Sequence, residues 1–122
     1  MAGDGRIKLG RYGEAVAAAY LESLGWRVVD RNWRCPVGEL DLVAAPEPGT
    51  VVFVEVKTRS GDHCGAPEAA VTPRKVARLR RLAGLWLAAR PEPAQAVRLD
   101  VIAVNIGGRR GRSLRHYRGV GA

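Results

Sequence analysis

The sequence predicts an α/β domain, a central mixed β-sheet flanked by helices in the order αβββαββ. Two observations carry this. The runs Glu39–Ala45 and Val51–Thr58 are apolar on both faces, through Leu40, Leu42, Val52, Val54 and Val56, as expected when helices cover both sides of a sheet. Stretches of helical periodicity precede and follow these runs, so helices and strands alternate along the chain.

The first helix is expected from about Gly10 to Leu24, where Glu14, Ala17, Leu21 and Leu24 fall on one inward stripe at i, i+3, i+7 and i+10, with Glu14 near the helix start. Strands follow near Trp26–Trp33, Glu39–Ala45 and Val51–Thr58, then a loop. The second helix should run from Pro73 to Ala89. Thr72 can cap its free N–H groups, and proline suits the first turn. Its stripe is Leu79, Leu82 and Trp86, with Lys75 one turn earlier. The last strands are expected near Ala96–Asn105 and Leu114–Tyr117.

Several charges sit inside these apolar runs, where burial is costly. By strand alternation Glu39, Asp41 and Val43 share one face, and Phe53, Glu55 and Lys57 share one face of the next strand. Pro46-Glu47-Pro48-Gly49-Thr50 favours a hairpin between them. With Ala45 opposite Val51, the register puts Asp41 opposite Glu55. Cross-strand Cβ atoms lie about 4.5–5.5 Å apart, so two acids there repel unless a cation intervenes. Mg²⁺ fits, since it takes one or two carboxylates and leaves places for water and phosphate. Lys57 lies one pleat beyond Glu55.

At 122 residues and 47% hydrophobic, the chain suits one domain spanning residues 1–122, with residues 107–122 a basic C-terminal segment, partly flexible. No apolar stretch approaches the roughly 18 residues of a membrane span and the N-terminus lacks the apolar core of a signal peptide, so a cytoplasmic protein without membrane association is expected. Cys35 and Cys64 lack the spacing of a zinc site and read as free thiols. His63 and His116 are isolated, and Trp26, Trp33 and Trp86 read as packing residues. Asp100, on an apolar strand, should pair with a basic neighbour such as Arg98 or cap a loop.

The net charge of +8 is unevenly spread. Residues 1–71 hold 8 Lys+Arg against 10 Asp+Glu, a net −2, while residues 72–122 hold 12 against 2, a net +10. A basic half beside a carboxylate cluster suits a polyanion, and nucleic acid is the commonest. The bland counterpart is a solvated basic surface, with Arg109-Arg110-Gly111-Arg112 only a flexible arm. Arg74, Lys75, Arg78 and Arg81 stand in the first turns of the second helix, where free N–H groups also favour phosphate.

Glu14, Gly38-Glu39-Leu40-Asp41-Leu42-Val43-Ala44 and Phe53-Val54-Glu55-Val56-Lys57-Thr58-Arg59 resemble the signature of the PD-(D/E)XK nuclease superfamily, in its Holliday-junction-resolvase-like branch. The closer likeness is to the YraN-like family of bacterial proteins. It extends through Arg31-Asn32-Trp33-Arg34, Val71-Thr72 with Lys75, and Arg98-Leu99-Asp100-Val101-Ile102-Ala103-Val104. Leu40 replaces the nominal proline before Asp41, a position that varies across the superfamily.

The resemblance implies a single restriction-endonuclease-like domain and a metal-dependent endonuclease acting on structured or branched DNA. Asp41, Glu55 and the Val56 carbonyl would hold Mg²⁺, with Mn²⁺ a substitute, and Glu14 would assist directly or through water. Lys57 would hold the attacking water or the developing phosphorane charge. Glu39 is an outer ligand or the partner of an arginine. Arg59, Arg74, Lys75, Arg78 and Arg81 are the expected nucleic-acid contacts, and a homodimer is compatible with the sequence. The alternatives are a non-catalytic nucleic-acid-binding protein that keeps the fold, and a structural adaptor whose acid–lysine cluster is a buried ion-pair network.

Overall fold

In a computed structural model, which describes residues 2–61, 71–109 and 111–121, the elements follow the expected order. They are α1 (Ala2–Ser23), β1 (Arg27–Cys35), β2 (Gly38–Ala45), β3 (Thr50–Ser60), α2 (Pro73–Ala88), β4 (Ala96–Ile106) and β5 (Ser113–Tyr117). The strands form one sheet in the order β1-β2-β3-β4-β5. Only the β3/β4 pairing is parallel, because α2 intervenes; β1/β2, β2/β3 and β4/β5 are antiparallel. This is the α/β architecture of a restriction-endonuclease-like fold.

Each sheet face carries its own core. Ala17, Ala18 and Leu21 of α1 pack on Leu42, Ala44, Val52, Val54, Ile102 and Val104. Leu79, Leu82, Ala83 and Trp86 of α2 pack on Leu40, Val43, Phe53 and Leu99. The expected cap at α2 is present: Thr72 has extended backbone angles, its hydroxyl accepts the Lys75 N–H, and Pro73 follows.

Several boundaries move. Helix α1 begins at Ala2 rather than Gly10, which puts Glu14 in mid-helix instead of near the start. It ends at Ser23, so Leu24 falls in the turn that follows and is 42% exposed, outside the inward stripe. Strand β3 gains one residue at its start and two at its end, and β4 one at its end, because the two pair with each other over their whole length, from Thr50↔Ala96 to Ser60↔Ile106.

The β2/β3 hairpin keeps the expected register, with Leu42↔Val54, Val43↔Phe53 and Ala44↔Val52 paired. Gly49 at φ 84° turns the chain, and its carbonyl accepts the N–H groups of Gln95 and Ala96, seating the start of β4 beside β3.

The C-terminal end is tied back into the fold. Asp100 is fully buried and accepts two bonds from Arg98 (2.8 and 2.9 Å), one from the Gly119 N–H (3.0 Å), and a contact of 2.7 Å with His116 Nε2. His116 Nδ1 meets the Tyr20 hydroxyl of α1 at 2.9 Å. Asp100 thus both pairs with Arg98 and receives a loop N–H, as expected. His116, which looked isolated, is in fact 5% exposed at the side chain and joins α1, β4 and β5. Its partners are 16 and 96 residues away, beyond any local pattern. Trp26, Trp33 and Trp86 pack in or against the two cores.

His63, Cys64 and Arg110 lie outside the described residues. Cys35 is a free thiol. No helix among the described residues is long and apolar enough to cross a membrane.

Candidate functional site

The hairpin's last pair is Leu42↔Val54. One residue further the strands part, and Asp41 turns its carboxylate into the gap, where Oδ2 accepts the Val56 backbone N–H at 2.8 Å. The register stops one pair short of the expected Asp41–Glu55 pairing, and Asp41 instead spends one oxygen on the backbone of β3.

Strict alternation fails on β2 at this point. Leu40 and Val43 both belong to the α2-side core, whereas Leu42 belongs to the α1 side, and a carboxylate oxygen of Asp41 lies within 4.8 Å of one of Glu14 of α1. Asp41 does not share the face of Val43, contrary to the period-two reading, and both Asp41 and Leu42 turn toward α1. The cause lies opposite, on β1. Arg31 pairs with Leu42 and Trp33 with Leu40, and between them Asn32 takes φ 51°. A left-handed residue reverses the local turn of a strand, so its side chain does not alternate. Arg31 contacts Glu22 and Asn32 contacts Glu14, both on α1.

Helix α1 approaches closely because Gly13 has no side chain; a Cβ there would overlap Thr58 of β3. Glu14, the next residue, is thereby carried to the gap. One oxygen each of Glu14, Glu39 and Asp41 lies within 4.8 Å of the others, and all three residues are half-buried. Asn32 Nδ2 donates to Glu14 Oε1 at 3.0 Å and to Glu39 Oε1 at 2.8 Å, and Arg34 Nε donates to Glu39 Oε2 at 3.0 Å. Glu39 is both an arginine's partner and a member of the acidic group.

Burial pushes the Asp41 carboxyl up to about 7; the Val56 N–H opposes this, while the charges of Glu14 and Glu55 and a hydrogen bond with Glu14 raise it further. Glu55 is thus close enough for its charge to act on Asp41, but it lies outside the group formed by Glu14, Glu39 and Asp41. Lys57 is half-buried on β3, by alternation on the side of Phe53, and Val56 packs on the opposite, α1 side.

A cleft of about 520 Å³ is lined by Glu14 and Glu39 of the acidic group, though not by Asp41, together with Arg11, Arg31, Asn32 and Arg34. Arg11, Arg31 and Arg34 are exposed beside it. Of the basic residues expected to touch nucleic acid, Arg74, Arg78 and Arg81 are exposed on α2, across the sheet from α1, while Lys75 and Arg59 are half-buried.

Sequence reasoning missed Asn32, Arg11 and Arg34 as site residues. The available signal for Asn32 was an asparagine in mid-strand, a position where that residue is depleted, together with its tolerance of left-handed backbone.

A model of the family described as Uncharacterised protein family UPF0102 matches residues 13–104, a stretch holding Glu14, Asn32, Glu39, Asp41, Glu55 and Lys57. A UPF0102 protein of Mycobacterium avium (strain 104) is 56% identical over 117 residues, covering 95% of this chain and 91% of that relative. Another, from Mycobacterium tuberculosis, is 56% identical over 120 residues, covering 95% of this chain and 94% of the relative. With its motifs inside the matched stretch and its likeness running nearly end to end, the chain belongs to the UPF0102 family, the YraN-like group.

Proposed function

We propose that the protein is a metal-dependent endonuclease that hydrolyses phosphodiester bonds in structured or branched DNA. The observation that carries this reading is the convergence of Glu14, Glu39 and Asp41, from α1 and β2, at a gap between two strands, with Glu14 and Glu39 also lining an arginine-bearing cleft. The donor set is all carboxylate oxygen, which suits Mg²⁺ or Mn²⁺ rather than a soft metal. The Asp41 carboxyl, raised to about 7 by burial and neighbouring acids, marks negative charge that a cation would relieve.

In this reading Asp41, fixed by the Val56 N–H and deprotonated, would hold the metal together with Glu55 and the Val56 carbonyl. Glu14 and Glu39 complete the oxygen shell, directly or through water. The bound cation would neutralise charge developing on the phosphoryl oxygens and lower the pKa of water. Lys57 Nζ holds the attacking water or meets the phosphorane charge. Arg11, Arg31 and Arg34 beside the cleft bind the phosphates next to the scissile bond, and Arg59, Arg74, Lys75, Arg78 and Arg81 serve a longer duplex.

The test is cleavage of linear, flapped and four-way DNA with Mg²⁺ or Mn²⁺, with Asp41→Ala protein as the control for contaminating nuclease. Metal-dependent cleavage by the wild type alone supports the reading. Tight binding of branched DNA without cleavage would replace it with a nuclease fold that binds and does not turn over.

A further inference from the structure

Asn32 is the one non-glycine residue with a left-handed backbone among the described residues. Such a conformation is unfavourable for an L-residue and persists only where its surroundings over-determine it. Here the surroundings are β1/β2 pairs on both sides, Arg31↔Leu42 and Trp33↔Leu40. The conformation turns Asn32 toward α1 beside Arg31, and its amide nitrogen meets two carboxylates from different elements, Glu14 of α1 and Glu39 of β2.

An amide nitrogen has two hydrogens and no negative charge. It is the smallest side chain able to donate to two carboxylates at once while adding nothing to their repulsion. Lysine or arginine would neutralise the acids and compete with a metal; aspartate would add a fourth charge. Asparagine also tolerates the left-handed region better than other non-glycine residues. Backbone strain and side-chain chemistry thus agree on one residue type at one place.

We infer that Asn32 is a positioning residue that holds Glu14 and Glu39 at ligand spacing before metal arrives. This rests on the metal-site reading proposed above. Asn32 occupies one oxygen of each acid and leaves the other oxygen of Glu14 for coordination, while Arg34 takes the second oxygen of Glu39. Glu14 thus keeps one oxygen for direct coordination, whereas Glu39, with both oxygens engaged, would reach a metal through water.

The experiment is Mn²⁺ titration of the full chain by calorimetry, with wild type, Asn32→Gly and Asn32→Ala, alongside thermal unfolding in EDTA. Glycine accepts φ 51° and deletes only the amide, whereas alanine also meets the backbone strain. Asn32→Gly is expected to bind Mn²⁺ at least tenfold more weakly with an unfolding midpoint within a few degrees of wild type, and Asn32→Ala to melt lower than Asn32→Gly. Equal Mn²⁺ affinity in wild type and Asn32→Gly overturns the inference and leaves the metal site standing. A wild type that binds no Mn²⁺ overturns both.

A second measurement needs no variant. In wild-type NMR spectra the Asn32 side-chain amide should show slowed hydrogen exchange and shift on addition of Mg²⁺. An amide that exchanges at the rate of a free one, indifferent to Mg²⁺, overturns the inference whatever the variants do.

Discussion

The carboxylate of Asp41 accepts the backbone N–H of Val56 at 2.8 Å, one residue beyond the last β2/β3 pair. That bond replaces a rung of the ladder with a side chain and leaves an acid half-buried among other acids. Its protonation and the opening of the strands are therefore linked.

The first prediction follows from the Asp41 carboxyl lying at about 7, above its ordinary 3.8. Between those values the folded state holds a proton that the unfolded state has lost, so this group's contribution to stability declines as pH rises from about 4 to 7. Asp41→Asn, which keeps the neutral shape, should remove the decline. Urea unfolding at pH 4, 6 and 8 without metal should find the variant more stable at pH 8, by on the order of 1–3 kcal/mol, and near wild type at pH 4. A constant difference across pH would count against it.

Metal should reverse that trend. Mg²⁺ or Mn²⁺ binding to the folded state raises the unfolding midpoint, by about 2.7 kcal/mol of stability at one hundred times Kd. The gain should be larger at pH 8 than at pH 6, where the cation must displace the Asp41 proton. Scanning fluorimetry should detect no gain in Asp41→Asn.

Lys57→Ala should leave DNA affinity within a few fold and lower cleavage by orders of magnitude, because one lysine adds little to a broad basic footprint but acts on transition-state charge. Binding measured in Ca²⁺ and single-turnover cleavage in Mg²⁺ separate the two. Parallel losses would make Lys57 a binding residue.

The basic surface has its own signature. If Arg74, Lys75, Arg78 and Arg81 touch the backbone of duplex DNA, each lost contact lowers the slope of log affinity against log salt by about 0.9. A variant lacking all four should flatten the slope and keep Mn²⁺ affinity. An unchanged slope would assign phosphate binding to Arg11, Arg31 and Arg34 beside the acids.

Asp100 behaves oppositely to Asp41. Burial alone would raise its carboxyl, but bonds from His116, Arg98 and the Gly119 N–H, with the Arg98 charge, outweigh that and hold it below the ordinary value. Its contribution is present above the unfolded carboxylate pKa and is lost as pH falls through the lower folded value. Asp100→Ala strands Arg98, His116 and a loop N–H, and should cost about 3–5 kcal/mol near neutral pH. Chemical unfolding would measure this, and a cost under 1 kcal/mol would show that water replaces the carboxylate.

Element order, the two-faced apolar strands, the Thr72 cap and the hairpin register were all legible from the chain, because each rests on local periodicity or turn chemistry. Leu42, Val54 and Leu79 could be assigned to a core from spacing alone. The acidic motif was also legible, since charge inside an apolar run has few structural excuses. Only the tertiary structure decided which acids meet. Asn32 breaks the alternation of β1 and β2 through one left-handed residue, and Gly13 lets α1 close on Thr58. Glu39 and Asp41 share a face as strand alternation expects; these two events bring Glu14 to them and leave Glu55 just outside the group. His116 found Asp100 and Tyr20 the same way, through contacts 16 and 96 residues apart. Periodicity reports which face a residue occupies in a regular element; where a strand departs from its period, or distant segments meet, packing decides.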